Sequence, residues 1–409
     1  MLLFGALLTH ICAVAKMFEK KPLPYGKVEN AGIPSDYNGS TSINAKVIDP
    51  LFTDHSFSNG LIVATVPTRH NNQPSDPDGH SEWLLVHGAT KAKVFNFPGY
   101  PRPCAKPRRS NMIELKQTPD TGMAVFATCD IKVGDLIFSE RPLLVTPRAV
   151  FPPARLNLSG YSKEKVTQTI MFEYEKILEH VVSRMSPERR AALLALCNSH
   201  TEDGSGKIMG IIRTNGFSIS NIGDGPNMPL GHLYPPERSY SGLSDLGSRF
   251  NHSCIPNVTI SFKRSSFSFQ FSASRDIKAG EECFVSYCDI FQSATDRKKE
   301  LAPYGFECKC KACLHATPAT DKLRIEYQDK VARLVHTHGP WVLDTTKRHF
   351  DELIEFEKEV VKEGLHSQKM YRFVVGIIGH WYEKYHLYTK AKPYLDLEER
   401  WKTMASDEE

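Results

Sequence analysis

Three cysteines within six residues, Cys308-Lys309-Cys310-Lys311-Ala312-Cys313, constrain the fold of this chain more than any other local feature. Thiols so close in sequence are poorly suited to bridging one another as disulfides, whose geometry is narrow. They suit a tetrahedral metal-thiolate site, with zinc–sulfur bonds of about 2.3 Å. Lys309 and Lys311 alongside favour the ionised thiolates. A closed structural site needs a fourth ligand, so the fold has to return a distant segment to this one. Cys254, Cys283, Cys288 and His315 are the candidates that the residues themselves leave open.

The remaining cysteines do not suggest a disulfide scaffold. Ten in 409 residues is far sparser than in small secreted domains. Cys12, Cys104, Cys129 and Cys197 stand alone, and each is expected as a small buried apolar side chain. Lys plus Arg is 51 against 47 for Asp plus Glu, a net charge of +4. That lacks the basic excess of a nucleic-acid binder, so no direct nucleic-acid contact is expected. Hydrophobic residues make up 41% of the chain, enough apolar material for folded domains, and the length suggests two to four of them.

The first fifteen residues, MLLFGALLTHICAVA, have an apolar stretch and a small-x-small end at Ala13-Val14-Ala15. No Lys or Arg precedes the stretch, and Thr9 and His10 interrupt it, so an apolar end is expected rather than an export signal. The stretch is too short to span a bilayer, and no other segment reaches that length.

Residues 1–60 read as an N-terminal arm, rich in Pro, Gly, Ser and Asn from residue 20 on, and loosely ordered. Residues 61–110 read as short strands (Leu61–Val66, Trp83–Val86, Lys91–Phe97) followed by a solvated basic, Pro-rich linker. Short strands with frequent turns continue over 111–150 and 211–302, including Gly210–Ile219 and Val258–Ser274. Between them, 151–210 is a helical insert. Apolar residues from Val166 to Met185 recur near a period of 3.6, and Ser186-Pro187-Glu188 starts a second helix. Residues 303–317 hold the cysteine segment, and 318–409 predict four helices: Lys322–His336, Thr345–Glu363, Met370–Tyr385 and Tyr388–Trp401.

Two further strings carry chemistry. Ser248-Arg249-Phe250-Asn251-His252-Ser253-Cys254-Ile255-Pro256-Asn257 is dense in hydrogen-bonding groups between strand-like stretches. Gly280-Glu281-Glu282 is a turn feeding a strand that ends at Ser286-Tyr287, and Tyr304-Gly305-Phe306 leads into the cysteines. Upstream, Thr121-Gly122-Met123-Ala124 is a strand-turn. These pieces, in this order over about residues 111–315, resemble the SET domain of protein lysine methyltransferases. The likeness is greatest to the SET-and-MYND branch, with its split domain, a Thr214-Asn215-Gly216-Phe217 segment and a helical C-terminal region.

The resemblance implies an α+β chain: a SET-type β fold of small antiparallel sheets with a helical insert, a zinc-bound post-SET segment and a helical C-terminal region. It implies S-adenosyl-L-methionine as methyl donor and a protein lysine, histone or non-histone, as acceptor. Gly122, Met123, Ala124, Asn251, His252, Tyr287 and Phe306 would hold the cosubstrate, Phe306 by stacking on its adenine. Tyr287 would be the catalytic residue, and Phe217 and Tyr304 would line the lysine channel. Zinc would be structural, with Cys254 joining Cys308, Cys310 and Cys313.

The chemistry is consistent. In-line methyl transfer depends largely on positioning. The attacking lysine has to be neutral although its free pKa is about 10.4, and desolvation beside a sulfonium disfavours the ammonium. No general base is then required. The Tyr287 hydroxyl would accept weak C–H···O contacts from the methyl group.

Two departures stand out. The insert holds only Cys197, too few ligands for a MYND zinc finger, and Ala124 replaces the second glycine of the family's G-x-G; as Ala is the smallest alternative, weakened cosubstrate binding is the most that this change is expected to cause. The alternative expectation is a weak or inactive SET scaffold that binds protein partners. A zinc-containing DNA-binding regulator is a further rival, disfavoured by the near-neutral charge. A monomer, free of membrane, in the cytoplasm or nucleus is expected.

Overall fold

Leu61–Val66 reads Leu-Ile-Val-Ala-Thr-Val, apolar on both faces, and every residue of it is buried. Such a run belongs in the middle of a covered sheet, and that is where the computed structural model has it. The structure describes residues 26–39, 45–52, 54, 61–86, 88–148, 158–219, 222, 239–338 and 347–406. The chain divides into two units, residues 1–102 with 141–245, and residues 103–140 with 246–409.

The first unit is built on a six-stranded sheet. Its strands are β1 (Ala45–Val47), β2 (Leu61–Val66), β3 (Ser81–Leu85), β7 (Leu144–Pro147), β9 (Tyr240–Leu243) and β8 (Phe217–Ile219), in that spatial order. The sheet is mixed: β1 runs parallel to β2 and β3 parallel to β7, and the other neighbours are antiparallel. The expectation of small antiparallel sheets throughout is therefore corrected here. The buried strands pack against helix α2 (Lys163–Ser183), whose Met171, Tyr174, Ile177, Leu178 and Val181 share a core with Leu61, Val63, Leu84 and Leu144. The Ser162 and Ser186 side chains cap α2 and α3 (Pro187–Leu194) by accepting the N–H groups of Lys165 and Arg189.

Three local readings change in this unit. Lys91–Phe97, read as a strand, lies mostly in helix α1 (Gly88–Phe95), which buries Thr90, Lys91 and Val94 on one side. Gly210–Ile219, also read as strand, divides into helix α4 (Lys207–Asn215) and the short β8. The buried Glu175 carboxylate accepts the N–H groups of Ile208 and Met209 at 2.7 and 2.8 Å and fixes the start of α4. The arm at 26–52 is anchored as well as extended: β1 joins the sheet, and the Tyr37 hydroxyl donates to Glu173 Oε1 at 2.8 Å. The apolar first fifteen residues lie outside the described residues.

The second unit holds three small sheets. They are the hairpin β4–β5 (Ile113–Thr118, Gly122–Ala127), the antiparallel set β11–β12–β6 (Val258–Lys263, Ser268–Ala273, Leu136–Glu140), and the two-residue parallel pair β10–β13 (Asn251–His252, Phe284–Val285). Phe138, Phe250 and Phe271 stack between them, with ring centroids 4.3–5.6 Å apart. After α5 (Ala294–Leu301) and the short α6 (Lys311–Leu314), four helices follow: α7 (Pro318–His338), α8 (Lys347–Lys362), α9 (Tyr371–Lys384) and α10 (Tyr388–Ser406). Their apolar stripes make a core of their own around Tyr327, Phe350, Phe356, Val374 and Ile378. No helix among the described residues is long and apolar enough to cross a membrane.

Candidate functional site

The pairing of β10 with β13 sets the site. Asn251 lies opposite Phe284 and His252 opposite Val285, so the strand leading into Tyr287 runs beside the Asn-His pair. Asn257, fully buried, holds the crossing. Its Nδ2 donates to the Glu282 carbonyl at 2.9 Å and its Oδ1 accepts the Phe284 N–H at 2.6 Å.

Asn251 ties this crossing to the β4–β5 hairpin. Its Nδ2 reaches Thr121 Oγ1 at 3.1 Å, the Met123 carbonyl at 3.3 Å and Glu282 Oε1 at 2.9 Å. The hairpin turns at Gly122, where φ is +71° and a Cβ would meet nothing within 4 Å beyond its immediate chain neighbours. An L side chain is strained in that conformation, so the position suits glycine while leaving open space beside the backbone. Ala124 is fully buried on β5.

His252 connects two parts of the site. Its Nδ1 accepts the backbone N–H of Tyr287 at 2.9 Å, so in the neutral ring the proton sits on Nε2. Nε2 then donates to Cys254 Sγ at 3.3 Å. This tautomer turns His252 toward the thiol as a donor and not as a metal ligand.

Tyr287 lies among aromatic rings. Its centroid is 5.0 Å from Tyr304, 5.4 Å from His252 and 6.3 Å from Phe306, the last edge-on. Its hydroxyl donates to the Phe250 carbonyl at 2.6 Å. Gly305, with φ +78°, makes the left-handed turn that lets Tyr304 and Phe306 join the same cluster. Phe306 stays 39% exposed, an apolar ring left facing solvent at the rim.

Next to these rings, the Sγ atoms of Cys254, Cys308, Cys310 and Cys313 lie within 4.8 Å of one another, and Cys254 and Cys313 are 3.5 Å apart. Tetrahedral thiolates around zinc would have sulfurs roughly 3.8 Å apart, so the donor set fits that ion in type, number and spacing. Hydrogen bonding from Cys254 draws the Cys313 thiol down to about 7, below the ordinary thiol range. Of the other fourth-ligand candidates, Cys283 lies outside the groups, and burial pushes its thiol up to about 12. Cys288 lies near His252 and Cys254 but outside the four-thiol group, and His315 is in neither cluster. Cys104 is buried, whereas Cys197 is exposed and Cys129 half-buried, both outside helices and strands, which corrects the expectation for those two. Cys12 lies outside the described residues.

Two residues that the sequence did not single out hold the thiols in place. Arg297, fully buried, donates to the carbonyls of Gln292 at 2.6 Å and Ala312 at 3.1 Å. Arg324, also fully buried, pairs with Glu363 and donates to the Cys254 carbonyl at 3.2 Å. Nothing local to either position distinguishes it from a surface arginine on a helix.

The structure thus joins Gly122, Met123, Asn251, His252, Tyr287, Tyr304, Phe306 and the four cysteines into one continuous network within the second unit. Phe217 belongs to the first unit, where it opens β8 opposite Gly242.

Residues 122–288 match the SET domain family. The chain is 28% identical to the histone-lysine N-methyltransferase set5 of Schizosaccharomyces pombe over 208 residues, 51% of this chain and 52% of that protein. It is 45% identical to the human protein-lysine N-trimethyltransferase SMYD5 over 78 residues, 18% of this chain and 19% of that one. It is 38% identical to the human N-lysine methyltransferase SMYD2 over 92 residues, 20% of each. The chain therefore spans about half the length of set5 and about a fifth of the SMYD relatives.

Proposed function

We propose that this chain, which carries a SET domain homologous to the lysine methyltransferases set5 and SMYD2, methylates the side-chain amine of a protein lysine. The observation that carries the reading is Tyr287, fixed by its hydroxyl to the Phe250 carbonyl within the ring cluster of His252, Tyr304 and Phe306. S-adenosyl-L-methionine, when bound, supplies an electrophilic methyl group on a sulfonium. The open backbone at Gly122, the half-buried Asn251 and the exposed face of Phe306 fit such a ligand. In this reading Gly122, Met123, Ala124, Asn251, His252 and Phe306 hold it, and Tyr287 faces the reacting centre.

The residues then divide the work. The Tyr287 hydroxyl donates its proton to the Phe250 carbonyl, so toward the methyl group and the amine it acts as an acceptor that orients them. Tyr304 gives the lysine stem an aromatic wall. Desolvation among these rings disfavours the ammonium form of the incoming lysine, so no side chain has to act as general base.

Cys254, Cys308, Cys310 and Cys313 are proposed to hold a structural zinc ion, which would pin the Asn251–Cys254 strand to the segment bearing Phe306. Such thiolates and this cosubstrate suit a reducing interior, so the cytoplasm or nucleus is the proposed location. The chain is proposed to act as a monomer on a protein substrate. Calorimetry with S-adenosyl-L-methionine tests the reading: saturable binding is expected, and its absence at about 1 mM, where even a weak site fills, would point to a non-catalytic scaffold.

A further inference from the structure

Cys288 follows Tyr287 directly, and neither the ring network nor the four-thiol group uses its sulfur. That Sγ lies within 4.8 Å of Cys254 Sγ and of a ring nitrogen of His252. Cys254 is fully buried, whereas Cys288 is half-buried between exposed Ser286 and exposed Asp289, within reach of a small neutral solute.

The backbone sets the two cysteines side by side. Cys254 follows β10 and Cys288 follows β13, and the parallel pairing runs on to Ser253, whose N–H donates to the Val285 carbonyl at 3.0 Å. Adjacent strands run about 4.8 Å apart, within the Cα separations of about 4.4–6.8 Å that a disulfide bridges. Both positions are also held from outside. Arg324 donates to the Cys254 carbonyl at 3.2 Å, the Ser286 hydroxyl donates to the Cys288 carbonyl at 2.8 Å, and the Asp289 N–H donates to Glu300 Oε2 at 2.9 Å. Closing the sulfurs to a bond of about 2.05 Å is then a matter of side-chain rotation.

The grouping of the thiols selects the pair. Cys288 clusters with Cys254 and His252, and Cys254 also clusters with Cys308, Cys310 and Cys313. Cys254 is therefore the thiol common to both groups. Cys283, also close in sequence, is fully buried and belongs to neither.

We propose that Cys288 is an oxidation site for hydrogen peroxide, with Cys254 as its resolving partner. The Cys288 sulfur attacks one peroxide oxygen. The S–O bond forms, the O–O bond breaks, and the departing hydroxide leaves with the thiol proton as water. The Cys254 sulfur then attacks the sulfur of the sulfenic acid, forming S–S and breaking S–O. The expelled hydroxide takes a proton from the Cys254 thiol, or from solvent where that sulfur is bound to metal, and leaves as a second water. Together the two sulfurs lose two electrons, and the peroxide gains them.

The disulfide disturbs both groups that share Cys254. It draws Cys254 Sγ away from the His252 Nε2–H that now meets it at 3.3 Å. Where the four thiols hold zinc, it also removes one of the four ligands and releases the ion. That release rests on the zinc reading above, and the disulfide itself does not.

Non-reducing peptide mass mapping of the full chain, before and after hydrogen peroxide, reads the disulfide, and a colorimetric zinc indicator reads the metal. A linked Cys254–Cys288 peptide pair is expected, reversed by dithiothreitol, with zinc appearing in step. Cys288→Ser is checked first for native zinc content and melting temperature, and its zinc release under peroxide is expected to slow at least about tenfold. Cys197→Ser, at an exposed thiol, is expected to leave both readouts at the native level. A chain that forms the pair but carries no zinc at the outset supports the oxidation site and refutes the zinc reading. Absence of the linked pair from the oxidised native chain, or zinc release from Cys288→Ser at the native rate, overturns the proposal.

Discussion

Replacing Arg324 with methionine probes the most concentrated buried polar junction of the second unit. The guanidinium is fully buried and makes four hydrogen bonds. Nε reaches Glu363 Oε1 at 2.6 Å, Nη1 the Cys254 and Ile290 carbonyls at 3.2 and 3.0 Å, and Nη2 the Glu363 carbonyl at 2.9 Å. Methionine fills similar space but strands the Glu363 carboxylate, itself 9% exposed, together with three carbonyls. Breaking one side of such a buried pair costs about 3–5 kcal/mol. In a unit of about 200 residues that lowers the unfolding midpoint by roughly 6–20 °C. Thermal unfolding followed through the fluorescence of Trp381 and Trp401, both in this unit, reads the change. The double variant Arg324→Met/Glu363→Leu is expected to recover most of the loss, because an apolar pair of matching volume leaves no stranded charge. A single variant that loses less than about 1 kcal/mol, or a double variant no better than the single, would refute the reasoning.

Further outcomes follow from other residues. Lys91 is 1% exposed, and burial holds its amine down to about 8, below the unfolded value of about 10.4. The unfolded chain then binds the extra proton, so stability rises as pH climbs from about 8 to about 10.4. Lys91→Met should stabilise the protein by up to about 3 kcal/mol at neutral pH, and by melting temperature the gap should close near pH 10; a gap that stays constant contradicts the assignment. Metal analysis should find about one zinc per chain. Chelation or Cys310→Ser should lower the melting temperature, and a metal-free chain of unchanged stability would count against the thiolate site. Gly305→Ala should strain a left-handed turn by about 1–2 kcal/mol and weaken S-adenosyl-L-methionine binding by shifting Phe306, whereas unaltered affinity would detach Phe306 from that role.

How far the residues alone revealed this structure depended on the range of each signal. The helices after residue 318 and the α2–α3 pair were legible because amphipathic period and caps are local. Ser186 caps where the Ser-Pro-Glu string predicts. The Asn251–Cys254 string and the cysteine cluster were legible as short motifs, and the fold brings them together across 59 residues between Cys254 and Cys313. The misreadings had a common cause. In Lys91–Phe97 and Gly210–Ile219, β-branched and aromatic residues imitate a strand, while the buried set Thr90, Lys91 and Val94 follows helical spacing that only tertiary packing enforces. Arg297 and Arg324 were invisible because the Ala312 carbonyl for the one, and the Cys254 carbonyl and Glu363 carboxylate for the other, lie 15 to 70 residues away and leave no mark on neighbouring residues. The parallel pairing of β1 with β2 and of β3 with β7 is equally non-local.

The central claim is that Tyr287 organises methyl transfer to a protein lysine. The most direct measurement is transfer of labelled methyl from S-adenosyl-L-methionine to histones and cell-extract proteins, comparing the native chain with Tyr287→Phe. Label on lysine with the native chain is expected, with a loss of at least about 100-fold in the variant, which keeps the ring but removes the hydroxyl held by Phe250. Lysine labelling by Tyr287→Phe at the native rate would contradict the account.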